Sequence, residues 1–172
     1  SMADFARDDA SGPSARGFHA GPILGPPGGY PDTLSYPRNL VYPVETPEEA
    51  RKAVADLVTR GVDVIKIAFE PGFGGYTWPV LDLDVSRATV EEAHARGKLV
   101  RAHVTRSDML DMALDSGVDA IEHVPVPLLS EAEWKAAVED VNIFRFPAAY
   151  DAQLERMVDQ HIILVPTLSV TP

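Results

Sequence analysis

Three polar residues interrupt otherwise aliphatic runs. Lys66 lies within Val64-Ile65-Lys66-Ile67, His103 within Arg101-Ala102-His103-Val104, and His123 within Ile121-Glu122-His123-Val124. A lysine in such a run is costly unless its charge is removed or paired. Neutral imidazoles are common metal ligands, and two of them at the ends of successive strands, 20 residues apart, could converge on one ion through their ring nitrogens. A lone histidine at a strand end is more often a satisfied core residue than a ligand. Three polar residues at the same end of three successive strands point instead to a metal site.

Other residues carry weaker signals. Glu122 precedes His123, so strand alternation predicts it on the opposite face, in a supporting role. Arg101 shares the face of His103 one layer deeper, and the sequence names no acidic partner for it. His94 falls in a helix, where packing or hydrogen bonding accounts for it. His161 opens the last strand on the face away from the chemistry, and His19 sits in a weak first strand that could border the cavity. Two Gly-rich stretches carry aromatics: Tyr30 in the first, and Phe73, Tyr76 and Trp78 in the second. Tyr30, Tyr76 and Trp78 are candidate substrate-binding residues, since loops borne on a scaffold carry specificity. Ordinary turn chemistry accounts for these loops equally well.

The elements that must position these residues alternate along the chain. Residues 1–15 are polar and read as a tag remnant (Ser1-Met2), a helix end and a loop, ahead of a domain over 16–172. Arg16 to Leu24 reads as a weak strand, followed by proline-rich irregular chain to Pro43. Thr46-Pro47-Glu48-Glu49 is a helix start, with a hydroxyl cap, proline at the first position and glutamate three residues after the cap. Val62 to Ala68 is a β-branched run suited to a buried parallel strand. Further helices are predicted over Ser86–Arg96, Ser107–Ser116, from Ser130-Glu131-Ala132-Glu133, and over Tyr150–Gln160. Strands are predicted over Lys98–Val104, Val118–Val124 and His161–Leu168. Glycines at 61, 97 and 117 close the helices. About five strands with connecting helices make right-handed βαβ units, roughly five of the eight in a parallel (β/α) barrel of TIM type, which needs about 250 residues. An open doubly wound sheet is the alternative, weakened by the lack of a Gly-rich phosphate loop at the first strand-to-helix turn.

Composition narrows the partners. The net charge of −11 opposes general nucleic-acid binding and polybasic membrane anchoring. With no cysteine, the chain has neither disulfides nor thiolate ligands, so a metal must be held by His, carboxylates or something rarer. No apolar run approaches a membrane span and no signal sequence opens the chain, so the cytoplasm is the expected location. An incomplete barrel exposes strand edges near Arg16–Leu24 and His161–Leu168, which predicts a homo-oligomer.

The segments Gly61-Val62-Asp63-Val64-Ile65-Lys66-Ile67, Glu92-Ala93-His94-Ala95-Arg96-Gly97, Ala102-His103-Val104, Gly117-Val118-Asp119-Ala120-Ile121-Glu122-His123 and Val165-Pro166-Thr167-Leu168 resemble the amidohydrolase superfamily. The imidazolonepropionase-like and prolidase-like branches are the most similar, from about Gly12 to Leu168. The resemblance implies an incomplete barrel, about strands three to seven of eight. It implies one or two divalent ions, commonly zinc, and hydrolysis of amide, peptide or cyclic amide bonds of small molecules such as dipeptides by metal-activated water. Lys66 matches the strand-four lysine that is carboxylated and bridges two metals in binuclear members. His103 and His123 match the ligands on strands five and six. The family's His-x-His has no counterpart before Arg16, and its water-activating Asp is expected beyond Pro172, so no catalytic base is assigned here. The isolated chain is accordingly expected to be inactive. The alternative is a non-catalytic half-barrel that assembles with itself.

Overall fold

The computed structural model describes residues 17–32, 40–72, 75–125 and 150–166. The helix expected from Ser130, the segment 1–15 and Phe73 lie outside the described residues. The described elements, in chain order, are β1 (Ile23–Gly25), β2 (Val41–Pro43), α1 (Pro47–Thr59), β3 (Ile65–Phe69), α2 (Leu83–Ala95), β4 (Val100–Val104), α3 (Ser107–Ser116), β5 (Ala120–Glu122), α4 (Asp151–Asp159) and β6 (Ile163–Val165). Among the described residues no helix is long and apolar enough to cross a membrane.

All six strands form one parallel sheet in the order β2-β1-β3-β4-β5-β6. Strand β2 corrects the expectation of irregular chain up to Pro43. It is a three-residue edge strand ending on a proline, the position where proline's missing N–H does least harm. It pairs with β1 through Ile23↔Val41 and Leu24↔Tyr42. Among the described residues the outer edges of the sheet are therefore β2 and β6, and the edge expected near Arg16–Leu24 is covered by β2.

The helices begin and end where local chemistry requires. At α1 the Thr46 hydroxyl accepts from the Glu49 N–H at 3.2 Å, and the Glu49 carboxylate accepts from the Thr46 N–H at 3.2 Å. This reciprocal cap is the one its sequence predicts. Helix α3 ends on Gly117 in the left-handed region, φ 80°, which glycine adopts without a Cβ penalty.

Each helix packs against the next in chain order, α1 on α2, α2 on α3 and α3 on α4, so all four line one side of the sheet. A doubly wound sheet carries helices on both faces; the single helical layer among the described residues is consistent with a partial barrel wall. Strand register sorts the side chains accordingly. Ile65, Ile67 and Phe69 of β3, Val100, Ala102 and Val104 of β4, and Ile121 of β5 belong to one buried apolar core with Ala50, Val54, Leu57, Val85, Ala88 and Leu110 from the helices. Each such Ile, Val or Phe contributes about 1.5–3 kcal/mol by leaving water. The alternate residues, Lys66, Ala68, Arg101, His103, Ala120 and Glu122, occupy the other face.

Candidate metal centre

That second face carries the chemistry. Lys66 and Arg101 are register partners across β3 and β4, and His103 pairs in register with Glu122 across β4 and β5. The placement of Glu122 corrects the expectation that it points to the helical side. It lies on the face of His103, where its carboxylate contacts the Lys66 ammonium and stands 2.9 Å from Arg101 Nε. Glu122 is therefore the acidic partner that Arg101 requires.

His123 follows directly, and alternation alone would turn it to the helical core. Its backbone instead adopts φ 75°, uncommon for a non-glycine residue. Strand β5 ends at Glu122, and the left-handed residue reverses the alternation, bringing His123 Nε2 to 3.0 Å from His103 Nδ1. The His123 N–H still reaches the Val165 carbonyl of β6 at 2.9 Å, so the turn keeps its ladder bond. The two rings meet edge to face, centroids 4.7 Å apart. Backbone conformations of this kind cost about 1–3 kcal/mol and concentrate at functional positions.

Glu70 was not singled out from sequence. It lies just past β3 and is 1% exposed. Its carboxylate accepts from the Gly72 N–H at 3.0 Å and from the Thr105 hydroxyl, and lies 3.4 Å from His103 Nε2. Burial raises the Glu70 carboxyl, but interactions with His103, Thr105 and the Gly72 N–H outweigh it and hold the group below the ordinary carboxylate value. The signal is in the sequence: Lys66, Ala68 and Glu70 share the period of two, but the expected strand Val62–Ala68 stops short of Glu70.

The aromatic loops meet this centre. Tyr30 stacks on the His103 ring at 4.4 Å with an interplanar angle of 20°. Trp78 lies 5.6 Å from Tyr30, and Tyr76 stacks on Trp78 at 6.1 Å. The row runs from the buried histidine outward to Tyr76, which is 67% exposed. Gly72, at φ 133°, lets the second loop close on itself, since a Cβ there would lie 1.9 Å from the Tyr76 carbonyl oxygen.

The remaining histidines stand apart. His94 Nε2 is 2.9 Å from Asp119, whose same oxygen accepts from the Val100 N–H at 2.7 Å. His19 does not border the cavity: it pairs with Asp63, ahead of β3 and at the opposite end from Glu70. His161 occupies the turn before β6, at φ 56°.

Burial, reinforced by the Arg101 guanidinium, pushes Lys66 down to about 7. The Glu122 carboxylate opposes that shift, but it is divided between two cations. Burial, with smaller effects from His103 and Lys66, also lowers His123, favouring the neutral ring that binds a metal. Among the described residues no three His, Asp or Glu side chains converge on one ion position. What the fold brings together is a pair of imidazoles, with His103 Nε2 buried and lacking a well-formed hydrogen bond. Lys66 lies on the adjacent strand, engaged by Glu122 rather than by the histidines. The imidazole pair fits two members of a three-residue ligand set, and the third, Lys66, is turned aside to Glu122.

No protein-family model matches the chain. An uncharacterized protein of Mycobacterium tuberculosis is 29% identical over 132 residues, covering 69% of this chain and 35% of the relative. The chain thus spans about a third of the length of that relative. An amidohydrolase crystal structure superposes with a TM-score of 0.69 over 97% of this chain and 40% of its own, at 24% identity. A Bifidobacterium longum protein provisionally assigned as a prolidase matches with a TM-score of 0.58 over 76% of this chain and 30% of its own, at 30% identity. The resemblance to the amidohydrolase superfamily therefore rests on the fold as well as on sequence motifs.

Proposed function

We propose that this chain is an internal segment, about strands three to seven, of a metal-dependent barrel hydrolase. The parent cleaves amide, peptide or cyclic amide C–N bonds in small substrates such as dipeptides. Lys66, His103 and His123 are its ligands to one or two divalent ions, with zinc the best match to imidazole donors. The observation that supports this most directly is the imidazole pair, His103 Nδ1 and His123 Nε2 at 3.0 Å, placed on one cavity face by a left-handed residue. Two imidazoles on one tetrahedral zinc have nitrogens separated by about 3.3 Å, close to this spacing.

Lys66 suits the role of a carboxylated ligand. An amine pushed to about 7 is substantially uncharged at neutral pH and nucleophilic towards carbon dioxide. Addition of the neutral amine nitrogen to the carbon of CO2, with release of one proton from that nitrogen, would convert the amine into an anionic carbamate oxygen donor. Arg101, its register partner, then supplies the countercharge. A divalent ion held here would lower the pKa of an attacking water and polarise the substrate carbonyl. Tyr30, Trp78 and Tyr76 form the apolar wall that orients the substrate and excludes competing water. The water-activating Asp implied by the family is not assigned to any residue of this chain, so the chain alone is expected to bind metal weakly and to turn over no amide. Zinc titration of the purified chain against a chromogenic chelator, with a parallel dipeptidase assay, tests both parts. Absence of zinc binding that depends on His103 would refute the ligand assignment. Metal-dependent turnover abolished by His103→Ala would refute the assignment of catalysis to the longer parent.

A second reading, a half-barrel that assembles with itself, is favoured by one feature. Edge strand β6 leaves Ile163 53% and Leu164 42% exposed, beside Val158 of α4 at 72%.

A further inference from the structure

Helix α4 is tied to its neighbour along one flank. Arg156 donates to Asp111 at 2.8 Å and to Asp115 at 2.5 Å, both on α3. Gln153 donates to the Ser107 carbonyl and to Asp111, and Met157 is buried in the core. These contacts fix the rotation of the helix about its axis. At about 100° of turn per residue, Asp151, Leu154, Glu155, Val158 and Asp159 then fall on the flank opposite α3. The five line one open groove. Leu154 and Val158, both exposed, follow Met157 around the helix, and the three acids form the outer rim. Leu164 of β6 is exposed on the same side of the sheet, since its register partner Ile121 belongs to the core beneath the helices.

The charge on this flank is unanswered. Among the described residues Asp151, Glu155 and Asp159 form no ion pair, whereas Asp111 and Asp115 on the other flank share Arg156. The helix dipole favours Asp151 in the first turn but opposes Asp159 in the last, so helix stability does not account for the rim. Other cations along the helices are taken up within the chain: Arg51 by Glu91, Lys52 by Glu48 and Arg96 by Glu92. A second copy set symmetrically on this flank would oppose carboxylate to carboxylate.

We propose that this flank of α4 seats an amphipathic helix whose apolar stripe is bordered by Lys or Arg, supplied by the parent polypeptide as the next member of the helical layer. The source rests on reading the chain as an internal barrel segment; the chemistry of the seat does not. The layer runs α1, α2, α3, α4 in chain order, and the open flank is the side towards which it advances. Leu154 and Val158 supply the apolar contact, and the acid rim fixes the orientation of the incoming helix and rejects an acidic one.

NMR titration of the purified chain with stapled helical peptides tests the seat. A peptide with a leucine stripe flanked by lysines should bind saturably and shift the α4 amides. Its affinity should fall at least about tenfold when glutamates replace the lysines, when alanines replace the leucines, and in Val158→Asp. Glu155→Gln/Asp159→Asn should weaken it too and flatten its salt dependence. Failure of the lysine–leucine peptide to bind, or shifts confined to other elements, would overturn the proposal. Equal binding of the lysine–alanine peptide would do the same, by showing general attraction to an acidic chain. So would α4 shifts that follow the concentration of the chain alone, which would put a second copy on this flank. The longer parent should not bind the peptide, because its own helix fills the seat; binding equal to that of the chain would overturn the source. Zinc binding through His103 is read separately, so the seat and the metal reading can each fail without the other.

Discussion

Lys66 and Arg101 stand opposite each other in the β3–β4 ladder, and both reach for the single carboxylate of Glu122 on β5. Two cations facing one anion leave an excess positive charge on the cavity face. The relationship joins three successive strands and sets the charge state of the residue on which the carboxylated-lysine reading depends. With Lys66 protonated, an anionic substrate group meets a favourable field there.

The pH dependence of stability follows from this arrangement. Lys66 is pushed to about 7, whereas a lysine in the unfolded chain titrates near ~10.4. Between those values the unfolded chain binds more protons than the folded one, so stability rises with pH from about 7 towards about 10. The destabilisation is present in full below about 7. Urea midpoints across this window should climb for wild type and flatten in Lys66→Met. A wild-type midpoint that stays level, and that Lys66→Met does not alter, would mean that the Glu122 contact keeps the ammonium charged.

Removing Glu122 should cost more than removing a surface carboxylate. Glu122→Gln leaves Lys66 and Arg101 adjacent without a countercharge, and we expect a loss of about 2 kcal/mol, discounted from a fully buried pair because Arg101 is partly exposed. The double variant Glu122→Gln/Arg101→Met should recover part of that loss. Additive losses in a urea double-mutant cycle would show that the two side chains do not share this role.

Three histidines of the same type should behave differently towards zinc. His103→Ala and His123→Ala are each expected to weaken binding by at least about tenfold. His94→Ala should leave it unchanged, because the His94 ring is engaged by Asp119 at 2.9 Å, outside the cavity face. Equal losses in all three, measured by chelator competition, would indicate adventitious surface binding.

The exposed edge should govern assembly. Leu164→Lys places a charge on the outer strand, where Leu164 is 42% exposed and, among the described residues, pairs on one side only, with β5. Light scattering over a wide concentration range should show self-association of wild type and its reduction in the variant. A strictly monomeric wild-type chain at high concentration would remove the case for assembly through β6.

Much of the frame was legible because it is local. The Thr46–Glu49 cap, the left-handed Gly117 and the aliphatic runs of β3 and β4 depend on neighbours a few residues away; the cap and the glycine are as expected, and the two strands form within their runs but start later, at Ile65 and Val100. Strand β2 is not legible because Pro43 and the proline-rich chain before it argue against a strand, while its edge position, a tertiary fact, makes Pro43 harmless. Glu70 escaped because the apolar run ends before it, although the alternation does not.

The sequence by itself determined that Lys66 and His103 share a face, since a period of two in a strand needs nothing beyond the chain's own geometry. Only the tertiary structure decided the rest of the centre. Glu122 lies with the cations because β5 pairs with β4 in the register His103↔Glu122, and His123 lies beside His103 because its φ of 75° breaks the alternation, with its N–H kept in a ladder bond to Val165. Arg101, Glu70 and Tyr30 acquire their partners from other strands and loops, across separations such as the 56 residues between Lys66 and Glu122 and the 35 between Glu70 and Thr105. Periodicity is written in backbone sterics, residue by residue. Which buried charge meets which is settled only when packing brings distant strands together and every buried polar group must find a partner.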